Sequence, residues 1–334
     1  MNRKATTALV AVAAAALASC GGGPTSSSSG GSHGPSAQSL KICILSEFRT
    51  RPDGLPGLEK TYNSAFSKPT YVDIGNTAEK SIADGQCNAG EVFTTDSAIQ
   101  ANNLYVLQDD KSLFPPDNVG LVVRQSVLQK YPAIANLMAP VAAKLDTATM
   151  VSLNAQVEIQ NKKVADVARD WLTQNGFLSS SYTGGGGTNG SGSGCATPSG
   201  SDGGGAHVSI GSKGFAEEQL LATMTQLVLQ AHNFVVDYTF QAKDKAIGQA
   251  LTSGTIDMLW QYTGTELTDY LGLSGFPTGL DAAFNYVAQK DAANGLCWTS
   301  ESKFTDTNGV AIRASDKSTF GDTLSQFGAY LASH

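Results

Sequence analysis

Short apolar runs alternate with longer amphipathic stretches through most of the chain. Apolar runs at residues 40–45, 89–93, 104–107 and 119–124 predict strands, and helical spacing predicts helices at 56–66, 79–84, 125–131, 134–145, 147–156 and 163–175. The second part repeats this style, with strands at 207–211, 235–240 and 256–260 and helices at 217–231 and 243–253. Such alternation favours α/β units around mostly parallel sheets.

Two polar stretches interrupt this pattern. Residues 20–38 and 183–206 consist largely of Gly, Ser and Thr, a composition that cannot bury apolar surface and is typical of flexible tethers. The second stretch contains Cys195 and leads directly into a strand and a helix. A processed lipoprotein usually begins in this way, yet here the pattern lies past the middle of the chain.

The first residues have the pattern of a secretory signal. Arg3 and Lys4 precede an apolar run at 5–18 that is too short to span a membrane, and Leu-Ala-Ser-Cys follows at 17–20. This tetrapeptide resembles a bacterial lipobox, in which the cysteine is lipidated after cleavage. We expect residues 1–19 to be a signal peptide and Cys20 to anchor the protein outside the cytoplasm, at the cell membrane. The alternative is an ordinary signal peptide with an incidental cysteine.

Charge and cysteine content restrict the function further. The formal net charge is −7, and loss of residues 1–19 removes two positive charges, giving −9. An acidic exported chain is a poor nucleic-acid binder, because phosphate contacts need clustered Lys and Arg. In an oxidising compartment Cys43 and Cys87, each beside an apolar run, are candidates for a disulfide, although sequence alone leaves the pairing open, including that of Cys297.

The chain offers few groups for catalysis. None of its four histidines is placed as a general base beside a nucleophile, and the familiar hydrolase, phosphate-loop and zinc-protease motifs are absent from the sequence. The adjacent acids Asp109 and Asp110 are better explained as a solvated turn than as a carboxylate pair or a metal site. We therefore expect a protein that is not an enzyme and that uses neither a cofactor nor a metal.

Polar and aromatic residues gather where predicted strands end. Three such groups lie at residues 94–96, 212–215 and 261–265. Ligands of open α/β sheets bind at the carboxyl ends of strands, so these groups predict the binding site.

Long motifs in both parts of the chain resemble one family. Residues 211–219 (Gly-Ser-Lys-Gly-Phe-Ala-Glu-Glu-Gln) and 251–267, which include Trp-Gln-Tyr-Thr-Gly-Thr, resemble the opening half of the glycine betaine, choline and related osmoprotectant-binding proteins of ABC importers. Residues 46–60, 92–96 and 107–118 resemble the closing half of the same family. The halves stand in reverse order, and passing from residue 334 into residue 39 restores the family order. The chain thus resembles a circular permutant, with the helix predicted at 319–331 leading into the strand at 40–45.

The resemblance implies a type II periplasmic-binding-protein fold, with two α/β lobes that close around a solute. Lobe I would combine residues 104–182 and 207–298, joined by the linker 183–206. Lobe II would combine residues 39–103 and 299–334, and would be the discontinuous lobe.

The resemblance also implies roles for residues of the cleft. Tyr262 would be a wall of an aromatic cage for a quaternary ammonium group, Thr265 a hydrogen-bond donor and Lys213 a contact for the anionic end of the solute. Further candidates for ligand contact or for bracing the cleft are Phe215, Gln261, Trp260, Asn308, Glu47, Thr95 and Asp96. Trp260 could equally be a core residue, and Lys213 could cap a turn.

Two departures from the family concern the cage. Asp-Thr-Asn-Gly stands at 306–309 where the family often has a cage tyrosine, and residues 75–78 lack another. Each aromatic face contributes about 0.5–2 kcal/mol, so Tyr262 alone would hold a trimethylammonium group weakly. Either Phe48, Phe93 or Phe215 completes the cage, or the solute is more polar than glycine betaine.

The leading hypothesis is a lipid-anchored solute-binding protein that delivers a quaternary ammonium osmolyte to ABC permease subunits. The alternatives are a binder or sensor of the same fold for a more polar solute, such as an amino acid derivative, and a cell-surface lipoprotein with a decayed site.

Overall fold

The computed structural model describes residues 34–74, 78–115, 117–185, 194–240, 244–273, 277 and 279–334. The predicted signal peptide, Cys20 and most of the first tether lie outside the described residues, as do residues 75–77 and 186–193. Residues 35–334 form one unit by their contacts.

Strands of the described residues form two five-stranded sheets. In chain order they are β1 (Lys41–Ile44), β2 (Thr70–Asp73), β3 (Ala89–Phe93), β4 (Leu104–Val106), β5 (Asn118–Arg124), β6 (His207–Ser212), β7 (Val235–Phe240), β8 (Met258–Tyr262), β9 (Leu296–Thr305) and β10 (Asn308–Arg313). The sheet of lobe II has the order β2-β1-β3-β10-β4, and the sheet of lobe I has the order β7-β6-β8-β5-β9. The two-lobed α/β architecture predicted from the sequence is confirmed.

Helices connect the strands and cover the sheets. They are α1 (Leu55–Thr61), α2 (Glu79–Ala83), α3 (Ala98–Ala101), α4 (Gln125–Lys130), α5 (Ala133–Lys144), α6 (Thr147–Glu158), α7 (Val164–Gln174), α8 (Ala216–Ala231), α9 (Asp244–Ser253), α10 (Thr263–Thr265, continued by a π-turn at Glu266–Tyr270), α11 (Leu280–Ala292), α12 (Lys317–Phe320) and α13 (Leu324–Ser333). Short 3-10 turns lie at Ala37–Ser39, Glu47–Arg49, Ser64–Ser67 and Ala314–Asp316. The helix predicted at 56–66 ends at Thr61, because Asn63 accepts a hydrogen bond from Ala65 N and starts a separate turn.

Each sheet contains one antiparallel strand from the other part of the chain. In lobe II, β1 pairs in parallel with β2 and β3, whereas β10 runs antiparallel to β3 and β4. In lobe I, β6 pairs in parallel with β7 and β8, whereas β5 runs antiparallel to β8 and β9. The chain therefore crosses between the lobes twice, once between β4 and β5 and once between β9 and β10.

These pairings place both lobe boundaries at positions other than those predicted from the sequence. Residues 104–106 were expected in lobe I, but β4 pairs with β10 in the sheet of lobe II. Residues 299–305 were expected in lobe II, but β9 stays paired with β5 as far as Thr305. A continuous ladder fixes both boundaries, because each strand needs its neighbour to satisfy its backbone groups.

The last helix completes the core of lobe II. Phe327 on α13 is fully buried and meets Phe66 edge to face at 5.7 Å. Leu40, Ile42 and Leu331 lie in the same hydrophobic cluster. The C-terminal helix therefore shares a core with the strand β1, and lobe II depends on segments from both parts of the chain.

Two disulfides join distant parts of the chain. Cys43 pairs with Cys87 inside lobe II, and Cys195 of the linker pairs with Cys297 of β9, with Cα atoms 5.8 Å apart. The second pair ties the linker to lobe I.

The described part of the linker lies against lobe I, contrary to the expectation of a free coil. Asn136 donates from Nδ2 to Gly200 O at 2.6 Å, and Gly203 N donates to His232 O at 2.7 Å. A Cβ atom at residue 203 would overlap the ring of Phe234, so only glycine permits this approach. The linker is thus held by specific contacts as well as by the disulfide.

We expect loss of the linker disulfide to destabilise the protein. Cys195→Ser with Cys297→Ser opens a bridge across 102 residues, and bridges of this kind contribute about 2–5 kcal/mol. Urea unfolding of the oxidised double variant and of the oxidised native protein measures the loss. Under reducing conditions the free energies of unfolding of the two proteins should differ little. Equal free energies under oxidising conditions would contradict a stabilising bridge between Cys195 and Cys297.

Candidate functional site

The strand ends predicted to form the site meet around Thr95 and Glu217. Thr95 follows β3 of lobe II, and its hydroxyl shares a hydrogen bond with the carboxyl of Glu217, which lies in the first turn of α8. Thr95 O also accepts a hydrogen bond from Asn154 Nδ2 of α6 at 3.3 Å. Thr95 N donates to Asp306 Oδ1 at 3.1 Å, in the second crossing. One loop of lobe II is therefore held by three polar side chains outside its own sheet.

Tyr262 is buried in lobe I, and its predicted role as a wall of a cage stays a prediction. Its ring is 3 % exposed, and its hydroxyl donates to Glu217 Oε1 at 2.6 Å. Lys213 Nζ lies 4.5 Å from the ring centroid, and the ring of Phe215 lies 6.1 Å away. The ammonium of Lys213 thus lies against one face of the Tyr262 ring.

The residues next to Tyr262 are held within lobe I as well. Lys213 is 4 % exposed and donates from Nζ to Gln261 Oε1 at 2.9 Å. Trp260 is fully buried, with Nε1 donating to Thr225 Oγ1 at 2.8 Å, and so lies in the core, as its alternative interpretation proposed. Thr265 is half-buried at the end of α10.

The other predicted residues take different places. Phe215 is 42 % exposed at the start of α8, and Glu47 is exposed in lobe II. Asp96 is half-buried and accepts a hydrogen bond from Ala98 N at 2.8 Å, which stabilises the turn after β3. The ligand contacts predicted for these residues stay predictions.

A cavity of about 470 Å³ lies between the two crossings and has walls from both lobes. It is lined by Thr94, Val106, Leu107, Gln108, Asp109, Ser112, Phe114, Pro115, Asp117, Leu280, Thr305, Thr307, Asn308 and Gly309. Asn308 is the member of the predicted site that lines it. Asp117 connects this cavity to the Tyr262 region, because its Oδ1 accepts a hydrogen bond from Gly264 N at 2.6 Å.

Buried carboxyl groups surround this region, and the sequence motifs did not reveal them. Burial raises the pKa of Asp117 to about 7, against the lowering effects of the Gly264 hydrogen bond and the charge of Lys213. Burial also raises the pKa of Glu217, against hydrogen bonds from Tyr262, Thr95 and Asn154. Burial and the charge of Glu217 raise the pKa of Asp306 well above its usual range. Such a cluster is stabilised by protons or by a positively charged ligand.

Lobe II contributes its own buried charges. Arg51 forms an ion pair with Asp53 at 2.8 Å, and its charge reaches Asp117 across the lobes. Glu91 of β3 is 4 % exposed and accepts a hydrogen bond from Leu45 N at 2.8 Å. The signal in the sequence for the pair of Arg51 and Asp53 is their position in an Arg-Pro-Asp-Gly turn, a composition typical of tight turns.

A second polar contact joins the lobes beside Thr95. Ser97 Oγ donates to Glu158 Oε2 of α6 at 3.1 Å. Burial and the charge of Asp96 raise the pKa of Glu158 to about 7. The loop after β3 is therefore bound to α6 at two points, through Asn154 and Glu158.

Within the described ranges, no group of three or more His, Cys, Asp or Glu side chains is arranged to hold a metal ion. Among those same residues, no helix has the length and apolar character of a membrane span.

The profile of one protein family matches most of the chain. This family is described as the substrate-binding domain of ABC-type glycine betaine transport systems, and it matches residues 32–174 and 206–331. The chain belongs to this family. It is a family of substrate-binding proteins and not of enzymes.

Characterised relatives align with part of this substrate-binding protein. A protein of Helicobacter pylori described as an ergothioneine transport permease/ergothioneine binding protein is 38 % identical over 131 residues, which cover 39 % of the chain and 24 % of that protein. A glycine-betaine-binding protein of Pseudomonas aeruginosa is 37 % identical over 144 residues, which cover 42 % of the chain and 46 % of that protein. The chain thus spans less than half the length of these relatives.

Solved structures align with most of the length of this chain. An ancestral arginine-binding protein bound to arginine superposes with a TM-score of 0.35 and 10 % identity, over 89 % of this chain and 92 % of that one.

Replacing Glu91 should reduce the pH dependence of stability. Burial raises the pKa of Glu91 from 4.5 to about 8, so the stability linked to its protonated form is present below pH 4.5 and is lost as the pH rises through 8. Glu91→Gln keeps an acceptor for Leu45 N and cannot ionise. Between pH 5 and pH 9 its free energy of unfolding should fall less than that of the native protein, by roughly 1.4 kcal/mol for each pKa unit of the shift.

The matched control is Asp84→Asn, which alters an exposed carboxyl paired with Lys80. Urea unfolding at both pH values should show the native pH dependence in this control. An unchanged pH dependence in Glu91→Gln would contradict the buried, protonated carboxyl.

Proposed function

We propose that this substrate-binding protein captures a small nitrogen-containing solute of the betaine class between its lobes and delivers it to an ABC permease. We further propose that it acts outside the cytoplasm, anchored to the membrane through lipidated Cys20. The observation that supports the capture most directly is the cavity between the two crossings, whose walls come from both lobes. Its volume lies in the ordinary range of small-molecule sites.

The geometry suggests how a solute would be held. Asp117 lines the cavity, and Glu217 and Asp306 lie buried nearby, so the region holds carboxyl groups whose ionised forms a cationic head group would stabilise. Phe114, Leu107 and Leu280 supply apolar surface for methyl groups. A solute bound to both walls favours the closed arrangement, because it contributes binding energy in that arrangement alone.

A more polar solute is the second candidate. Lys213 covers the face of Tyr262, and Asn308 lines the cavity where the family often has a cage tyrosine. Both observations reduce the aromatic surface available to a trimethylammonium group. A sensor of the same fold would also bind a solute, whereas a surface lipoprotein with a decayed site would bind none.

Calorimetry on the purified protein tests this proposal. We expect heat of binding with at least one of glycine betaine, choline, carnitine, proline betaine, ectoine and ergothioneine. Asp117→Asn keeps an acceptor for Gly264 N and removes the negative charge, so it should weaken binding of a cationic solute about tenfold. Asp84→Asn should bind like the native protein. If none of these solutes binds, the proposed solute class is wrong.

We also propose that the chain is a circular permutant of its family. The family profile matches in two blocks, and the relatives described above each align over 131–144 residues, about the length of one block. The two segments that would adjoin in the family order are in contact, since Tyr330 OH donates to Pro35 O at 2.5 Å. A short connection can therefore replace this contact without moving either lobe.

A reordered chain tests the permutation. Residues 194–334 followed by 35–185 keep both disulfides and place the halves in the family order. We expect this protein to keep the thermal stability of the native protein within a few degrees and its solute affinity within about twofold. If the reordered chain fails to fold under conditions in which the native chain folds, the proposed permutation is contradicted.

A further inference from the structure

Helix α6 of lobe I holds the loop that follows β3 of lobe II. Asn154 Nδ2 donates to Thr95 O at 3.3 Å, and Glu158 Oε2 accepts a hydrogen bond from Ser97 Oγ at 3.1 Å. Asn154 and Glu158 stand one helical turn apart, so they lie on the same face of α6. We propose that Glu158 is a positioning residue for lobe closure, and that a proton on its carboxyl keeps the lobes together. This inference rests on the proposed function, in which closure captures the solute.

The contact between Ser97 and Glu158 belongs to the closed arrangement. Ser97 lies in lobe II and is 3 % exposed, whereas α6 packs against α8 and β9 of lobe I. Rotation about the two crossings would separate the loop from α6, because the loop and the helix belong to different lobes. A contact that is made in one arrangement alone shifts the equilibrium toward that arrangement. The hydrogen bond from Ser97 to Glu158 therefore stabilises closure.

The surroundings of Glu158 disfavour a negative charge. Glu158 is the last residue of α6, at the negative end of the helix dipole. Asp96 of the lobe II loop and Glu217 of α8 both act on it through their charges, and both are acids. Lys162, the next cation along the chain, donates from Nζ to Gln156 Oε1 at 2.8 Å. Closure thus brings carboxyl groups of the two lobes close to one another.

A proton on Glu158 removes this repulsion and leaves the hydrogen bond in place. A neutral carboxyl still accepts from Ser97 Oγ, but it no longer repels Asp96. Partial burial and the charges of Asp96 and Glu217 raise the pKa of Glu158 from 4.5 to about 7 in the closed arrangement. Opening removes Ser97 and Asp96, so the pKa returns toward its ordinary value. The contribution of Glu158 to closure is therefore complete below pH 4.5 and is lost as the pH rises through 7.

Glu158 can exchange its proton with solvent while the lobes stay together. It is exposed at the end of α6, although its Oε2 contacts Ser97. The carboxyl of Glu217, in contrast, is 2 % exposed and accepts hydrogen bonds from Tyr262 OH at 2.6 Å and from Asn154 Nδ2 at 3.0 Å. A change in external pH therefore acts directly on Glu158.

Small-angle X-ray scattering of the purified protein without solute tests this role. The native protein should have a larger radius of gyration at pH 9 than at pH 5, because the population of open molecules rises. Glu158→Gln keeps an acceptor for Ser97 Oγ and cannot ionise, so its increase should be at most about half that of the native protein.

Two further variants separate the charge of Glu158 from a merely structural role. Asp96→Asn keeps an acceptor for Ala98 N and removes the acid that acts on Glu158 from lobe II, so its increase should also be smaller than that of the native protein. Asp84→Asn alters an exposed carboxyl paired with Lys80 and should show the native increase.

The outcomes distinguish this inference from the proposed function. An equal radius of gyration at both pH values in the native protein would overturn the role of Glu158. A full native increase in Glu158→Gln or in Asp96→Asn would overturn it as well. Absence of heat with every solute in the calorimetric test would overturn the proposed function, and that result is obtained independently of the scattering, which needs no solute.

Discussion

The two crossings between the lobes are joined by a backbone hydrogen bond on which the site depends. Asp306 N donates to Asp117 O at 3.0 Å, at the point where the chain passes from one sheet to the other in both directions. The side chains of both residues are buried carboxyls, and that of Asp117 lines the cavity. The lobe closure of the proposed function would pivot here, since both covalent connections between the sheets pass through this pair. The same two residues thus connect the lobes and carry buried carboxyl groups of the site.

Burial of charge explains why this region is suited to a ligand. The charges of Glu217 and Asp117 act on Asp306, and the ammonium of Lys213 acts on Glu217 and Asp117. Desolvated carboxyls of this kind are costly unless protons, donors or cations compensate them. Tyr262 donates to Glu217, and Lys213 covers the ring of Tyr262, so part of the compensation is internal. A cationic solute would supply the remainder on the side of Asp117.

Local pattern predicted the fold better than it predicted the site. Seven strands and most of the helices were predicted because burial imposes their periodicity, whereas β2, β9, β10 and α11 were missed. The positions of Thr95 and Tyr262 followed from the ends of the predicted strands. Glu217 was not singled out, since an acid in a first helical turn usually faces solvent near the positive end of the helix dipole. Asp117 and the lobe boundaries depend on which strand pairs with β5 and β10, and long-range pairing leaves no local signal.

The linker shows how far tertiary contacts can override composition. Its glycines and serines favour a flexible coil, and Cys195 in that setting looked like a displaced lipoprotein start. In the folded chain Cys195 is bonded to Cys297, one residue before Trp298 in the edge strand of lobe I. The glycines then permit close approaches, such as that of residue 203 to Phe234. Because β9 leads directly into the crossing at Asp306, the bridge ties the linker to a strand that runs into a connection between the lobes.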